Sequence, residues 1–163
     1  MSMFGVNASL PKTLMRAMVS HIASQYERDG NTVVSLSLYD IVNTPVSPEL
    51  LPSDENGDIA QCTEDIVGPY ELHDYFLFYM IRYGFSPKKI LRIAEASFRG
   101  VYEKTVIKGW LKIFVRRFFA AQFKRSCLPD GVKIGSVSLS PRGDFAMPSD
   151  MSAALWLKEL DED

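Results

Sequence analysis

The chain has 163 residues, of which 47% are hydrophobic, 12% aromatic and 23% charged, and its formal net charge is −2. This composition excludes an intrinsically disordered chain, and two cysteines are too few for a disulfide scaffold. The length suits one domain with a sizeable core, and the longest apolar run, residues 75–81, is far shorter than the ~20 residues that span a membrane.

The small net charge hides a strong segregation along the chain. Residues 1–75 carry three basic and eleven acidic side chains, whereas residues 76–147 carry fourteen basic and four acidic ones. The last sixteen residues are acidic again, with one basic and five acidic side chains. This pattern indicates either internal pairing or a site for an anionic ligand.

The first 45 residues contain three predicted elements. Residues 3–6 are predicted to form a strand. Apolar residues recur at helical spacing over 11–28, with Pro11 in the first turn and Gly30 at the position of a C-terminal cap. Residues 33–42 fit either a strand or a helix that ends before a proline, and we interpret them as a helix.

Residues 44–69 are rich in turn-forming residues, with four prolines and two glycines, and are predicted to be a mobile acidic loop. Asp54, Asn56 and Asp58 alternate as in a calcium-binding EF-hand loop. However, that loop requires glycine at its sixth position and glutamate at its twelfth, where this chain has Ile59 and Asp65. The calcium interpretation is therefore rejected.

The second half of the chain is predicted to be mainly helical, with caps and turns between the helices. The predicted elements are a helix from Tyr70 that Gly84 caps, a helix from Pro87 to Phe98 with Ser86 as N-cap, a helix over 102–126, a turn at 129–131, a short strand within 132–140, and a helix over 151–160 capped by Ser149 or Asp150.

The helix over 102–126 carries the clearest local chemistry, a basic stripe spaced by four residues: Lys104, Lys108, Lys112 and Arg116. This stripe is either a solvated face that pairs with acidic segments or a surface for phosphate or another anionic partner. The chain has no CxxC pair and no paired histidines, so no metal site is predicted. Residue chemistry alone therefore indicates a mostly helical domain and leaves both interpretations of its basic face open, anion binding and internal pairing.

Three stretches resemble one family, the glutamine-dependent NAD⁺ synthetases, in the C-terminal part of the synthetase domain. They are GVNASLPKTLMRAMV (5–19), TPVSPELLPSDENGDIAQCTEDIVGPYELHDYFLFYMIRYGFSP (44–87) and FFAAQFKRSCLPDGVKIGSVSLSPRGDFAMPSD (118–150). The resemblance is weakest around 24–35 and 96–106. It implies an enzyme that adenylates the nicotinate carboxylate of deamido-NAD⁺ with ATP and then displaces AMP with ammonia, which a separate amidase domain releases from glutamine.

The chain departs from that family at its ATP signature, Ser-Gly-Gly-x-Asp-Ser, which is absent because no two glycines are adjacent. No Glu-Lys-Cys amidase set can be placed on it either. We therefore expect residues 1–163 to be a fragment that is inactive alone: the C-terminal part of a Rossmann-like α/β domain, mostly α, with little or no sheet. Its helices, built to cover a sheet, should expose apolar faces.

The resemblance also implies individual site residues. Lys12 matches a lysine that contacts ATP phosphates, and Ser47 matches a hydroxyl residue that contacts ATP from a closing loop, with Thr44 as the alternative. Lys124 matches a lysine that contacts deamido-NAD⁺, with Phe123 and Arg125 beside it: these two complete the candidate set.

The resemblance further implies ATP with Mg²⁺, whose ligands we do not expect in this fragment. It implies a cytoplasmic homo-oligomer whose other partners are the missing upstream synthetase and amidase segments, without nucleic acid or membrane. The alternative, from the residues alone, is a non-catalytic module in which the basic helix over 102–126 docks an anionic partner.

Overall fold

The computed structural model describes residues 4–44, 63–142 and 144–162. Within these ranges the chain is mostly helical and forms no strand, which confirms the predicted fold class. The helices of the described ranges are α1 (Lys12–Arg28), α2 (Thr32–Asn43), α3 (Thr63–Val67), α4 (Tyr70–Tyr83), α5 (Pro87–Ser97), α6 (Lys104–Ala120), α7 (Gln122–Ser126) and α8 (Ala154–Asp161).

The chain divides into two compact units, which the sequence analysis did not predict. One unit is residues 11–70, and the other consists of residues 1–10 together with 71–163. The first contains α1, α2 and α3. The second contains α5 to α8 and all but the first residue of α4.

Helices α1 and α2 form a hairpin with a tight connection, in which Gly30 ends the first helix as predicted. Gly30 has a φ of +78°, which glycine adopts without strain, and its N–H donates to Glu27 O at 3.1 Å. The Asn31 side chain then caps α2 by accepting the Val34 N–H at 3.4 Å. One residue thus closes α1 and the next opens α2. Since α2 (Thr32–Asn43) includes all of residues 33–42, their interpretation as a helix is confirmed.

The hairpin exposes much of its apolar surface, as expected for helices that cover another layer. Ala23 is the buried residue of α1, whereas four apolar side chains one turn apart remain 40–42% exposed: Leu14, Met18, Ile22 and Tyr26. Helix α2 leaves Val33 78% exposed and Ile41 64% exposed. The hairpin therefore carries the exposed apolar faces that the sequence predicted.

The hydrophobic core lies in the other unit, where α4, α5, α6 and α8 pack together. Its most central aromatic residues are Phe76 of α4 and Phe114 of α6, whose ring centroids lie 5.7 Å apart. The buried apolar residues of this core are Leu72, Phe76, Met80, Ile90, Ala94, Ile107, Leu111, Phe114, Val115, Phe118, Phe119 and Leu160. Helix α6 contributes half of them, so it is the central helix of this unit.

The N-terminus of α5 is capped by another helix. Pro87 occupies the first turn, as predicted, but the Ser86 side chain makes no capping bond to its own helix. Instead Ser86 Oγ donates to Glu159 Oε1 at 2.6 Å, and that carboxylate also accepts the Lys88 N–H at 3.2 Å. A carboxylate on α8 therefore takes the place that the sequence assigned to the serine.

The predicted helix over 102–126 is interrupted in the structure. Helix α6 ends at Ala120, and Ala121, with φ −88° and ψ 8°, separates it from α7. The carbonyl of Phe118 is then bonded by the guanidinium of Arg125, which folds back over the end of α6. This side-chain bond supplies a partner for a carbonyl at a helix end, so the break leaves it satisfied.

The two predicted strands are wrong within the described residues. Phe4 forms an isolated parallel bridge with Asp130, and Ser9 Oγ accepts the Ile134 N–H and donates to Val132 O, both at 2.7 Å. The Ser9 side chain thus forms hydrogen bonds with the carbonyl and the N–H that a neighbouring strand would otherwise bond. At Gly131 a Cβ would collide with the carbonyl of Gly5, so this close approach requires glycine.

The last helix begins later than predicted. It starts at Ala154 instead of residue 151, and neither Ser149 nor Asp150 caps it. Ser152 Oγ accepts the Ala154 N–H at 3.2 Å and so provides the bond expected of a serine at a helix start.

Candidate functional site

A cavity of about 520 Å³ lies within the unit of residues 11–70. Helix α1 forms one wall with Lys12 and Arg16, and the C-terminal end of α2 forms another with Asn43 and Thr44. Glu64, Tyr70 and four apolar side chains are also in the lining, the four being Met15, Val19, Ile41 and Val42. The volume is in the range of small-molecule sites, and the lining combines apolar side chains with charged groups.

Lys12 and Thr44, both implied to contact ATP, line this one cavity. Lys12 is the first residue of α1, is exposed, and makes no ion pair or hydrogen bond with the described residues. Thr44 Oγ1 donates to Asp40 O at 2.8 Å. Because the hydroxyl proton of Thr44 is already donated to Asp40 O, Thr44 can donate to a phosphate oxygen only after this hydrogen bond breaks. Lys12 is therefore the better placed of the two.

Two further residues of the cavity were missed by the sequence analysis, Arg16 and Glu64. Arg16 follows Lys12 by four residues, so the i, i+4 spacing on one helix face was the available signal. Glu64 Oε1 accepts the backbone N–H of Tyr70 at 2.9 Å. That bond joins α3 to the start of α4 and holds a carboxylate at the cavity, a pairing that no local pattern predicts.

The predicted loop over 44–69 falls mainly outside the described residues. Ser47, the other implied ATP contact, lies there, so its role stays a prediction. The described end of this segment forms the five-residue helix α3, which the turn-rich composition did not indicate.

Phe123 and Lys124, implied to contact deamido-NAD⁺, lie on α7 in the other compact unit. Phe123 is 57% exposed, and Lys124 is exposed with Nζ 5.9 Å from the centre of that ring. An aromatic face and an adjacent ammonium group are suited to a ring and a phosphate of a dinucleotide. Both side chains are therefore available to a ligand.

Arg125 differs sharply from its neighbour. It is 9% exposed, its Nε donates to Gln122 Oε1 at 2.8 Å, and its guanidinium carbon lies 3.9 Å above the Phe118 ring. Burial lowers the pKa of the Arg125 guanidinium below its usual value. These contacts favour a packing role over the predicted role in dinucleotide binding.

The basic stripe on α6 is partly paired inside the protein. Lys104 Nζ lies 3.5 Å from Glu95 Oε2, and Lys112 forms an ion pair with Asp161 of α8. The hydrogen bond from Lys112, followed by the charges of Lys112 and Lys108, holds the pKa of Asp161 below its usual value. Internal pairing of the basic middle with the acidic tail, one of the two interpretations from charge, is thus observed between Lys112 and Asp161, whereas Lys104 pairs with an acidic residue of the middle itself.

His73 packs within a hydrophobic environment. Its ring stands edge-on to Phe114 with centroids 5.0 Å apart, and burial lowers its pKa. Among residues 4–44, 63–142 and 144–162, no three His, Cys, Asp or Glu side chains form a group that could hold a metal ion. Within the same ranges, no helix is long and apolar enough to cross a membrane.

Two known proteins similar to this chain carry the same name. A protein from Mycobacterium leprae strain TN, named glutamine-dependent NAD(+) synthetase, is 39% identical over 183 aligned positions. A protein of the same name from Mycobacterium tuberculosis strain H37Rv is 40% identical over 181. Each alignment includes 100% of this chain. This chain is a homologue of part of glutamine-dependent NAD(+) synthetase.

The chain spans 26% of the length of these synthetase relatives, so it corresponds to about a quarter of the enzyme. A solved structure, the glutamine-dependent NAD(+) synthetase of Cytophaga hutchinsonii, superposes on 98% of this chain and 22% of its own, with a TM-score of 0.65 and 19% identity. At that identity the likeness concerns the fold. No protein-family model matches the chain.

Proposed function

We propose that this chain supplies nucleotide-binding residues of a glutamine-dependent NAD⁺ synthetase, which amidates deamido-NAD⁺ to NAD⁺. One observation carries the proposal: the two described residues that the resemblance assigns to ATP, Lys12 and Thr44, line the same cavity. The identity to the two mycobacterial synthetases over the whole chain supports it independently.

In the proposed reaction, a nicotinate carboxylate oxygen attacks the α-phosphorus of ATP, and pyrophosphate leaves with the bridging oxygen. Ammonia released from glutamine then attacks the acyl carbon of the adenylate. AMP leaves with the electron pair of the carbon–oxygen bond, and the nitrogen loses a proton to give the amide. The ammonium group of Lys12 offsets the negative charge that develops on the leaving pyrophosphate.

Other parts of the proposal concern the second substrate and the assembly. Phe123 and Lys124 contact deamido-NAD⁺, and Ser47 contributes a second hydroxyl group for ATP. The whole enzyme uses Mg²⁺, but the described residues include no suitable group of ligands, so no step is assigned to the ion here. The proposed setting is a cytoplasmic homo-oligomer that includes the upstream synthetase and amidase segments.

The chain alone is expected to have no synthetase activity. It lacks the Ser-Gly-Gly-x-Asp-Ser signature of the family and spans 26% of its relatives. An assay that couples NAD⁺ formation to a dehydrogenase, with deamido-NAD⁺, ATP, Mg²⁺ and ammonia, should give the rate of the blank. The complete Mycobacterium tuberculosis enzyme serves as positive control. Turnover by the chain well above the blank would contradict the expected inactivity.

Lys12→Ala is expected to weaken ATP binding by about tenfold, because it removes a charge-assisted contact to phosphate. The measurement is an ATP titration of the ¹⁵N-labelled chain followed by NMR, which detects millimolar affinities. The control is Arg28→Ala, at the other end of α1, where the side chain donates to Ser24 O at 3.1 Å. Equal affinities for Lys12→Ala and the unaltered chain would sink the assignment of Lys12.

A further inference from the structure

The cavity in residues 11–70 contains a second cationic side chain, Arg16, for which the resemblance gives no role. Arg16 lies one helical turn after Lys12, on the same face of α1, and both line the cavity. Like Lys12, Arg16 is exposed and makes no hydrogen bond or ion pair with the described residues. Two cations without an ionic partner in the described part of the chain therefore lie side by side at one cavity.

This placement costs stability in the empty protein. Like charges at i, i+4 destabilise a helix, and α1 has no acidic residue in its first turn to offset them. Glu64 is the acidic residue of the cavity lining, but it lies beyond ion-pair distance of both cations, and its Oε1 accepts the Tyr70 N–H. A residue pattern that local rules disfavour is expected where a ligand compensates for it.

The chemistry of the lining defines the ligand class. The four apolar side chains of the lining, Met15, Val19, Ile41 and Val42, suit a ring with apolar faces such as a nucleobase, while the two cations suit a chain of phosphates. A guanidinium presents paired donors that match two phosphate oxygens, whereas the lysine ammonium acts as a point charge. The two side chains together can bind adjacent phosphate groups.

We propose that Arg16 is a phosphate-binding residue of this cavity, which holds the polyphosphate of a nucleoside triphosphate jointly with Lys12. The inference rests on the proposed function, because it takes the same cavity to be a nucleotide site. The inference adds Arg16 to the proposed nucleotide site and gives that site a selectivity. Two cations bind a triphosphate better than a monophosphate, because the triphosphate carries more negative charge for them to neutralise.

The experiment compares Arg16→Ala, Arg16→Lys and the control Arg28→Ala in NMR titrations with ATP, AMP and inorganic tripolyphosphate. Arg16→Ala should weaken tripolyphosphate and ATP binding five- to tenfold and AMP binding less than twofold. Arg16→Lys should recover part of the loss, because it restores the charge without the paired donors. Amide shifts at residues 12–16 and 44 should mark the site.

The outcomes separate this inference from the proposed function. If ATP affinity depends on Lys12 but not on Arg16, the role of Arg16 is overturned and the nucleotide site stands. If Arg16→Ala weakens AMP and ATP binding equally, the proposed selectivity is overturned. If ATP and tripolyphosphate leave the amides of residues 12–16 unchanged in the unaltered chain, both proposals are overturned.

Discussion

Phe76→Ala is expected to lower the free energy of unfolding of the α4–α8 unit by about 3–5 kcal/mol. The Phe76 side chain is 1% exposed and lies against Phe114, in the centre of the hydrophobic core. Its removal loses transfer free energy and leaves a cavity that the rigid helices around it fill only in part. Urea unfolding followed by tryptophan fluorescence reports on this unit, because Trp110 and Trp156 both belong to it.

The matched control is Phe123→Ala, the same substitution at a ring that is 57% exposed. Its effect on the free energy of unfolding should stay within about 0.5 kcal/mol, as for most surface substitutions. Equal losses of stability in Phe76→Ala and Phe123→Ala would show that the core does not lie where α4 and α6 meet.

Arg125→Ala is expected to cost about 2–4 kcal/mol of stability, the second largest effect. The substitution leaves Gln122 Oε1 and Phe118 O without the donor that they share, and Gln122 is 1% exposed. A buried acceptor that loses its partner costs its desolvation free energy, and the contact with the Phe118 ring is lost as well. Urea unfolding measured by the same fluorescence signal gives the value.

Lys124→Ala provides the comparison for Arg125→Ala, since Lys124 is the adjacent, exposed basic residue. We expect little change in stability for Lys124→Ala and, in the complete enzyme, a raised KM for deamido-NAD⁺. The opposite pattern, a stable Arg125→Ala variant with impaired substrate binding, would restore Arg125 to the dinucleotide site and remove it from the packing of α6 and α7.

The helices of this chain could be predicted because their signals are local. The apolar spacing in α1 follows the 3.6-residue period, and Gly30 supplies the positive φ that ends it. Pro87 marks the start of α5 in the same way. These elements depend on residues within one or two turns of each other. The predicted strands failed because Ser9 and residues 130–134, more than a hundred positions apart, bond through a side chain instead of a ladder.

The candidate sites likewise include residues that the sequence could assign and residues that only the structure could place. Of the residues that the resemblance assigned, the structure leaves Lys12, Thr44, Phe123 and Lys124 accessible to a ligand, whereas Arg125 is buried and Ser47 lies outside the described residues. Local spacing could have indicated Arg16 as well. No helical spacing rule could have placed Glu64 at the cavity or shown that Arg125 is buried, because both depend on how the chain folds between helices. Glu64 bonds the start of α4, and Arg125 folds back over the break between α6 and α7.

The sequence by itself determined the helical class, most helix boundaries, the charge segregation and the relation to glutamine-dependent NAD⁺ synthetase, because these follow from short-range periodicity and collinear similarity. Only the tertiary structure decided which of two adjacent basic residues is buried, which carboxylate caps α5 and which cations share a cavity. Burial and capping depend on what a side chain meets across space. Glu159 meets the start of α5 only because α8 packs against α5 and α6.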